Sequence, residues 1–396
     1  MSTAVETATA IRPFHVEFAK EQIDDLRRRI AATRWPSKEL VDDRSQGVQL
    51  AATQALAKYW LEEYDFGRIE ARLNALPQFI IEIDGVDIHF IHVKSAHEGA
   101  LPLIITHGWP GSVIEMLDII GPLTDPTAHG GQADDAFDVV IPSIPGYGLS
   151  GEPQELGWNP PTRVAKAWVE LMHRLDYTRY VAQGGDVGAA VTHGMGQLGP
   201  DGLIGIHTNL FYPALIGAMP EETEEEKAAA AQIGAFRATG FGYFVEQANR
   251  PQTIGYALLD SPVALAAWLA DHDTDAYYKI ANAFVNDEPS GNLTRDNLLD
   301  NITLYWLTST GASAARSYWE SSQPAAGTPP SVTIPFGFTT FPGEIWRTPR
   351  SWVEKTYSNV IYFNEVDKGG HFAAWEQPEL FSAELRAAFR SLRKQQ

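Results

Sequence analysis

The chain has 396 residues, with 30 Lys and Arg against 50 Asp and Glu, a formal charge of −20. It contains no cysteine, which excludes a disulfide framework, a thiolate nucleophile and any Cys-ligated zinc or iron–sulfur centre. So acidic a balance repels phosphate backbones, so no nucleic acid is expected as a partner, while 44% hydrophobic and 20% charged residues mark a globular chain rather than a disordered one.

Residues 1–80 read as a helical extension. The first residues, MSTAVETATAIRPFHVEF, have no basic run followed by an apolar one, and no window approaches the roughly 18–20 consecutive apolar residues of a spanning helix. A soluble, cytoplasmic protein without a membrane anchor is therefore expected. In FAKEQIDDLRRRIAATRW, Phe18, Ile23, Leu26 and Ile30 recur at helical spacing, and Pro36 ends the segment. A second amphipathic stretch runs near Ala51–Tyr64.

From 81 to 213 short apolar runs alternate with helical patterns. FIIEIDGVDIHFIHV carries Asp84-Gly85 between two β-rich runs, a hairpin signal. LPLIITHGWPG and FDVVIPSIPGYGLS are apolar runs stopped by Gly/Pro loops, and YVAQGGDVGAAVTHGMGQL is a strand, a Gly-rich turn and a helix. This alternation predicts an α/β fold with a mostly parallel central sheet covered by helices. Residues 214–330 change character: EETEEEKAAAAQ is an acidic, solvated start to an Ala-rich helix, followed by aromatic-rich helical stretches. They read as a helical insertion bounded by the Pro/Gly/Ser stretch SSQPAAGTPPS. Strand–helix alternation resumes over 331–396 and ends in an amphipathic helix with Leu380, Leu385 and Phe389 on its apolar side.

Four short motifs carry chemistry. Gly184-Gly185-Asp186-Val187-Gly188 follows a β-like run and opens a helix; it fits a nucleophile elbow with Asp in the place more often taken by Ser. His107-Gly108-Trp109-Pro110-Gly111-Ser112 follows a strand, so the Trp109 amide can join that of Val187 in an oxyanion hole. His371, in Gly369-Gly370-His371-Phe372, is placed as a general base, and Glu344, in Phe341-Pro342-Gly343-Glu344, as the acid that orients it. Each motif alone has a plainer reading: a capped helix, a common turn, one of 11 histidines, a solvated loop carboxylate. Together they stand in the order nucleophile, acid, histidine, each after an apparent strand.

Aspartate at the elbow changes the chemistry expected. A hydroxyl attacking an alkyl carbon leaves an ether, which an activated water does not cleave. A carboxylate leaves an ester, which water opens at the enzyme's own carbonyl carbon. The predicted reaction is therefore substitution at sp³ carbon, with a halide or a strained-ring oxygen leaving.

On HGWPGS, IPGYGLS, GGDVGA, FPGE and GGHFAAWEQPEL, all in the expected order, the chain resembles the epoxide hydrolases of the α/β-hydrolase superfamily, specifically the microsomal and juvenile-hormone branch. The resemblance covers nearly the whole chain. It implies an N-terminal region (FHVEFAKEQIDDLRRRIAATRWP) packed on the core, a cap at 214–330, and two cap tyrosines on the epoxide oxygen, which by local context are Tyr243 and Tyr318. It further implies a small-molecule epoxide and water as reactants, no metal and no organic cofactor. Asp186, Glu344, His371, Tyr243 and Tyr318 are then catalytic, the Trp109 and Val187 amides form the oxyanion hole, and Trp109 and the two tyrosines touch substrate. Aromatic residues of the cap point to apolar or aryl epoxides. The chain departs from the branch's mammalian members in showing no membrane anchor. Val187 stands where haloalkane dehalogenases carry a halide-binding Trp, which weakens but leaves open a dehalogenase. A catalytically silent scaffold is the remaining alternative, and homo-oligomerisation stays open.

Overall fold

The computed structural model describes residues 10–272, 279, 281–282, 285–286, 288–323 and 330–393. Most of the Pro/Gly/Ser stretch expected to bound the insertion, residues 324–329, lies outside these. Among the described residues one sheet forms, of nine strands: β1 (Arg12–Pro13), β2 (Gln78–Ile83), β3 (Val86–Val93), β4 (Leu101–Thr106), β5 (Phe137–Pro142), β6 (Tyr180–Gly184), β7 (Leu203–Thr208), β8 (Phe336–Thr340) and β9 (Val360–Glu365). Their order across the sheet is β1-β2-β3-β5-β4-β6-β7-β8-β9. From β5 through β9 every neighbouring pair is parallel. β1, β2 and β3 are antiparallel additions at one edge.

Local sequence explains these elements. Ile83 pairs with Val86 across Asp84-Gly85, both at positive φ, as a two-residue hairpin turn requires. The central strands LPLIIT, FDVVIP and YVAQG are buried along almost their whole length, which is why they read as continuous apolar runs rather than as alternations. Residues 10–19 are not helical as expected. Pro13 cannot donate in a helix interior, and the segment instead lies along the sheet edge, where Phe14 N–H donates to Gln78.

The longer helices are α1 (Lys20–Ala31), α2 (Leu50–Glu62), α3 (Gly67–Asn74), α4 (Ala165–Arg174), α5 (Val187–Leu198), α6 (Glu224–Thr239), α7 (Gly242–Asn249), α8 (Pro251–Asp260), α9 (Pro262–Ala270), α10 (Arg295–Leu307), α11 (Gly311–Ser321) and α12 (Pro378–Phe389). Among these helices none is long and apolar enough to cross a membrane. α6 starts on a reciprocal cap between Thr223 and Glu226. Glu226 is not solvated, as the acidic run suggested, but buried, and it accepts from Ser351 at 2.6 Å and Lys355 at 3.2 Å.

The N-terminal helices clamp α10. Asp300 of α10, fully buried, accepts from Tyr64 at 2.7 Å and from Arg68 and Arg72 at 3.1 and 2.8 Å. Arg72 also pairs with Asp118 of the core. In turn α10 braces the loop after β4, because Asn301 donates to the Pro110 carbonyl and Tyr305 to that of Gly111, both at 2.7 Å. The extension thus bears, through α10, on the loop that carries Trp109.

Candidate active site

Asp186 sits in the turn between β6 and α5, with φ 50° and ψ −124°, a conformation costly for a residue with a side chain. The surrounding backbone forces it there. A Cβ on Gly184 would lie 2.1 Å from the Gly188 carbonyl oxygen, and one on Gly188 would lie 2.0 Å from that of Thr106. Only bare backbone lets strand and helix cross this closely. The turn lifts the carboxylate to the end of the sheet, where its two oxygens have different partners. Oδ1 accepts the Trp109 N–H at 2.9 Å, and Oδ2 lies 3.5 Å from Nε2 of His371.

His371 follows β9 and Glu344 follows β8. The two loops are stitched by a parallel bridge between Gly343 and Gly370, with Gly343 N–H donating to Gly369 at 3.0 Å. Nδ1 of His371 meets Oε1 of Glu344 at 2.5 Å, and both side chains are buried. The carboxylate also accepts the Ile345 N–H. This bond fixes the ring with Nδ1–H toward Glu344 and Nε2 toward Asp186. Burial alone would push the imidazole's pKa down. The Glu344 and Asp186 charges reverse that and hold it well above the ordinary histidine value. Burial likewise opposes charge on Asp186, but His371, His272 and the Trp109 amide leave its carboxyl below the ordinary range.

The insertion closes over this group. Tyr243 on α7 and Tyr318 on α11 are both buried. The Trp109 indole stacks on Tyr243 at 4.9 Å and meets Tyr318 edge-on at 5.8 Å, and the two phenol rings are 6.2 Å apart. Both tyrosines share with Asp186 and Val187 the wall of a cavity of about 350 Å³, lined mostly by apolar side chains such as Leu210, Leu215, Phe236 and Phe244, with Arg237, Ser317 and Ser321 among the polar ones. Burial and the Asp186 charge push the Tyr318 phenol well above its ordinary value, so it stays a proton donor. Val187 opens α5, so its N–H has no intrahelical acceptor; among the described residues it makes no hydrogen bond to the Asp186 carboxylate. Trp109 is among the residues that line a second, smaller cavity.

That small cavity, of about 20 Å³, is bounded by Asp186, His371, Asn209 and Glu115. Glu115 escaped sequence reasoning, although a carboxylate inside the otherwise apolar stretch VIEML was a usable signal. It is buried, accepts the Gly108 N–H at 3.1 Å, and its pKa is pushed up to about 8, chiefly by burial. His272, two residues beyond α9, was also missed, because DHDTD reads as a polar surface turn. It is fully buried. Asp186, His272 and His371 bring three ligand-type atoms within 4.8 Å of one another and are the set, among the described residues, that could take a cation. A cation there would occupy the lone pairs of the candidate nucleophile and base.

The strand order and the strand-end placement of Asp186, Glu344 and His371 define an α/β-hydrolase with a carboxylate at its elbow. A family model described as epoxide hydrolase N terminus matches residues 11–116. A protein of Stigmatella aurantiaca is 51% identical over 388 residues, 97% of this chain and 86% of that one. Epoxide hydrolase 1 of Sus scrofa is 35% identical over 98% of this chain and 90% of its own. The crystal structure of juvenile hormone epoxide hydrolase from Bombyx mori superposes with a TM-score of 0.84 at 28% identity, covering 100% of this chain and 98% of that one. The chain therefore belongs to the epoxide hydrolase family and is a hydrolase acting on epoxides. An epoxide and water are its reactants, and the dehalogenase alternative is not favoured.

Proposed function

We propose that Asp186 is the nucleophile of a two-step epoxide hydrolysis. The carboxylate oxygen not held by Trp109 attacks a ring carbon. The C–O bond of the ring breaks as the new C–O bond forms, and the ring oxygen, hydrogen-bonded by the hydroxyls of Tyr243 and Tyr318, takes one proton from them and leaves a tyrosinate. A hydroxyalkyl ester of Asp186 results. Ester formation removes the Asp186 charge that helps keep His371 protonated, so the imidazole pKa falls; its proton returns to the tyrosinate left by ring opening, and the neutral ring becomes a base. With Glu344 holding Nδ1–H, Nε2 then takes a proton from water, and the hydroxide adds to the ester carbonyl. The Trp109 and Val187 amides stabilise the oxyanion. Collapse expels the diol oxygen, which recovers a proton from His371, and the Asp186 carboxyl so formed gives its own proton to His371, restoring the ionised pair.

The small cavity supports a place for that water, since roughly 10–15 Å³ of this measure holds one molecule. Glu115, its pKa pushed up to about 8 by burial, lines it together with His371. The apolar lining of the large cavity supports apolar or aryl epoxides as substrates.

The observation that carries this reading is the position of Asp186, between the Trp109 amide and His371 and in one cavity wall with both tyrosines. It is tested by single turnover of styrene oxide in ¹⁸O-water, alongside Asp186→Ala. The expected first diol carries unlabelled oxygen from Asp186, and the variant forms none. Immediate label in that diol, or diol formation by the variant, refutes the covalent route.

A further inference from the structure

Of the histidines the reaction scheme leaves unused, one stands against both halves of the site. His272 is fully buried, and its ring packs on His371 at 4.4 Å and 36°, on Tyr243 at 5.1 Å and on Phe372 at 5.9 Å. Its Nε2 lies 3.3 Å from the Tyr243 hydroxyl oxygen. We propose that His272 is a positioning residue for ring opening: its Nε2–H donates to the oxygen of Tyr243, so that the single O–H of that tyrosine is turned toward the epoxide oxygen. The inference rests on the reading of Tyr243 and Asp186 given above.

A phenol has one hydrogen to give and two lone pairs with which to accept. Were Tyr243 to donate to His272, its hydrogen would point away from the substrate. With the imidazole as donor, the hydrogen is not spent on His272 and can be given to the ring oxygen. The same N–H stabilises the negative charge that builds on the phenol oxygen as its proton leaves, in a site where buried charge is expensive. Tyr318 is placed differently. Its ring meets Trp109 and Phe244 edge-on, and among the described residues its hydroxyl has no hydrogen-bond partner. The geometry therefore makes the two tyrosines unequal, with Tyr243 as the proton donor and Tyr318 as the lesser hydrogen bond.

The contact between the His272 and His371 rings offers a competing role, in which His272 supports only the base. The two roles separate by step: positioning Tyr243 affects ester formation, whereas supporting His371 affects ester hydrolysis. Ester formation and decay are measured on styrene oxide by rapid quench and intact-protein mass spectrometry. His272→Phe keeps a ring of similar size without the nitrogen, and His272→Gln keeps an N–H donor without the ring. The expected result for His272→Phe is ester formation slowed about tenfold with ester hydrolysis unchanged. His272→Gln is expected within about threefold of wild type in ester formation. In a Tyr243→Phe background, His272→Phe should add no further loss, because the two residues act as one unit.

Slowed hydrolysis with normal ester formation in His272→Phe overturns the proposal. So does a Gln variant as slow as the Phe variant, or a full further loss in the Tyr243→Phe background. If Tyr243→Phe alone leaves ester formation at the wild-type rate, the reading of Tyr243 fails. If it slows ester formation while His272→Phe does not, only the role of His272 fails. Should His272→Phe not fold, His272→Leu, which also lacks the N–H donor, replaces it alone and in the Tyr243→Phe background, and a Leu variant slowed in hydrolysis alone, or normal in ester formation, overturns the proposal.

Discussion

The core wall of the site hangs Asp186, Glu344 and His371 on the ends of β6, β8 and β9, while the cap wall hangs Tyr243 and Tyr318 on helices and His272 just past one. On the core wall, backbone fixes the side chains. The elbow is forced by glycines whose Cβ atoms would collide with main chain, and a bridge between Gly343 and Gly370 ties the acid loop to the histidine loop. On the cap wall, rings hold rings, through Trp109 stacked on Tyr243, Tyr318 edge-on to both, and His272 tilted against Tyr243. Backbone constraint gives all-or-none geometry at Asp186, the proposed nucleophile. Ring packing gives graded placement of a proton donor. Substitutions on the core wall should stop a chemical step, and those on the cap wall should slow one.

After the complete loss expected of Asp186→Ala, the largest effect is expected at His371. His371→Gln keeps a polar side chain near Glu344 but cannot take a proton from water, and loss of a general base costs about 10²–10⁴-fold. Ester hydrolysis should fall by that factor while ester still forms, so the alkylated protein should accumulate and appear in the intact mass. A variant whose protein stays free under saturating epoxide would place the base elsewhere. The same comparison predicts a split in pH dependence. Ester formation needs Asp186 ionised, and its lowered pKa keeps that step flat as pH falls until below the ordinary carboxylate range. Ester hydrolysis needs His371 neutral. In the free enzyme Asp186 helps hold the imidazole's pKa high, and the ester lacks that charge. The hydrolysis limb should therefore show a lower pKa than the free enzyme's His371 does by NMR titration, and equal values would refute the switch.

On the cap wall the expected losses are smaller and unequal. Tyr243→Phe removes the donor that has His272 behind it, and should slow ester formation about 100-fold. Tyr318→Phe removes one hydrogen bond to a developing charge, and should slow it about tenfold. Ester hydrolysis should be near wild type in both, which rapid-quench measurement of the two steps checks. Equal losses, or a larger one at Tyr318, would make the asymmetry drawn from His272 wrong.

The walls also differ in how much of each was legible in the sequence. The core wall announces itself locally. A tight strand-to-helix crossing needs glycine at fixed positions, so Gly184 and Gly188 around Asp186 could be read without a structure, and so could the loops carrying Trp109, Glu344 and His371. The parallel sheet was legible for a related reason, since doubly covered strands are continuous apolar runs. The cap wall leaves no such trace. Tyr243 and Tyr318 came from resemblance, because a tyrosine on a helix looks the same whether it meets a substrate or a neighbour. His272 lies in DHDTD, whose polarity says surface, yet α9 carries it into the site. Glu226 was misread for the same reason, because a cap and a half-buried hydroxyl partner bury the last carboxylate of a run whose other members are exposed.

The smallest effect tests the floor of the core wall. Glu115 has its pKa pushed up to about 8 in the folded chain, from an ordinary value near 4.5, chiefly by burial. The folded state then binds a proton more tightly than the unfolded state does. Its contribution to stability is fully present below the ordinary value and is lost as pH rises through about 8. Glu115→Gln keeps the shape and the acceptor for Gly108 N–H but cannot ionise. Wild type and variant should therefore melt at similar temperatures at pH 5, with the variant gaining on wild type as pH is raised to 9. The Tm difference isolates Glu115 from the buried histidines, which titrate identically in both proteins. A constant difference across that range would mean that Glu115 is ionised throughout. It would then face His371 as a charge rather than as a neutral carboxyl, and the floor of the site would be set by electrostatics rather than by shape.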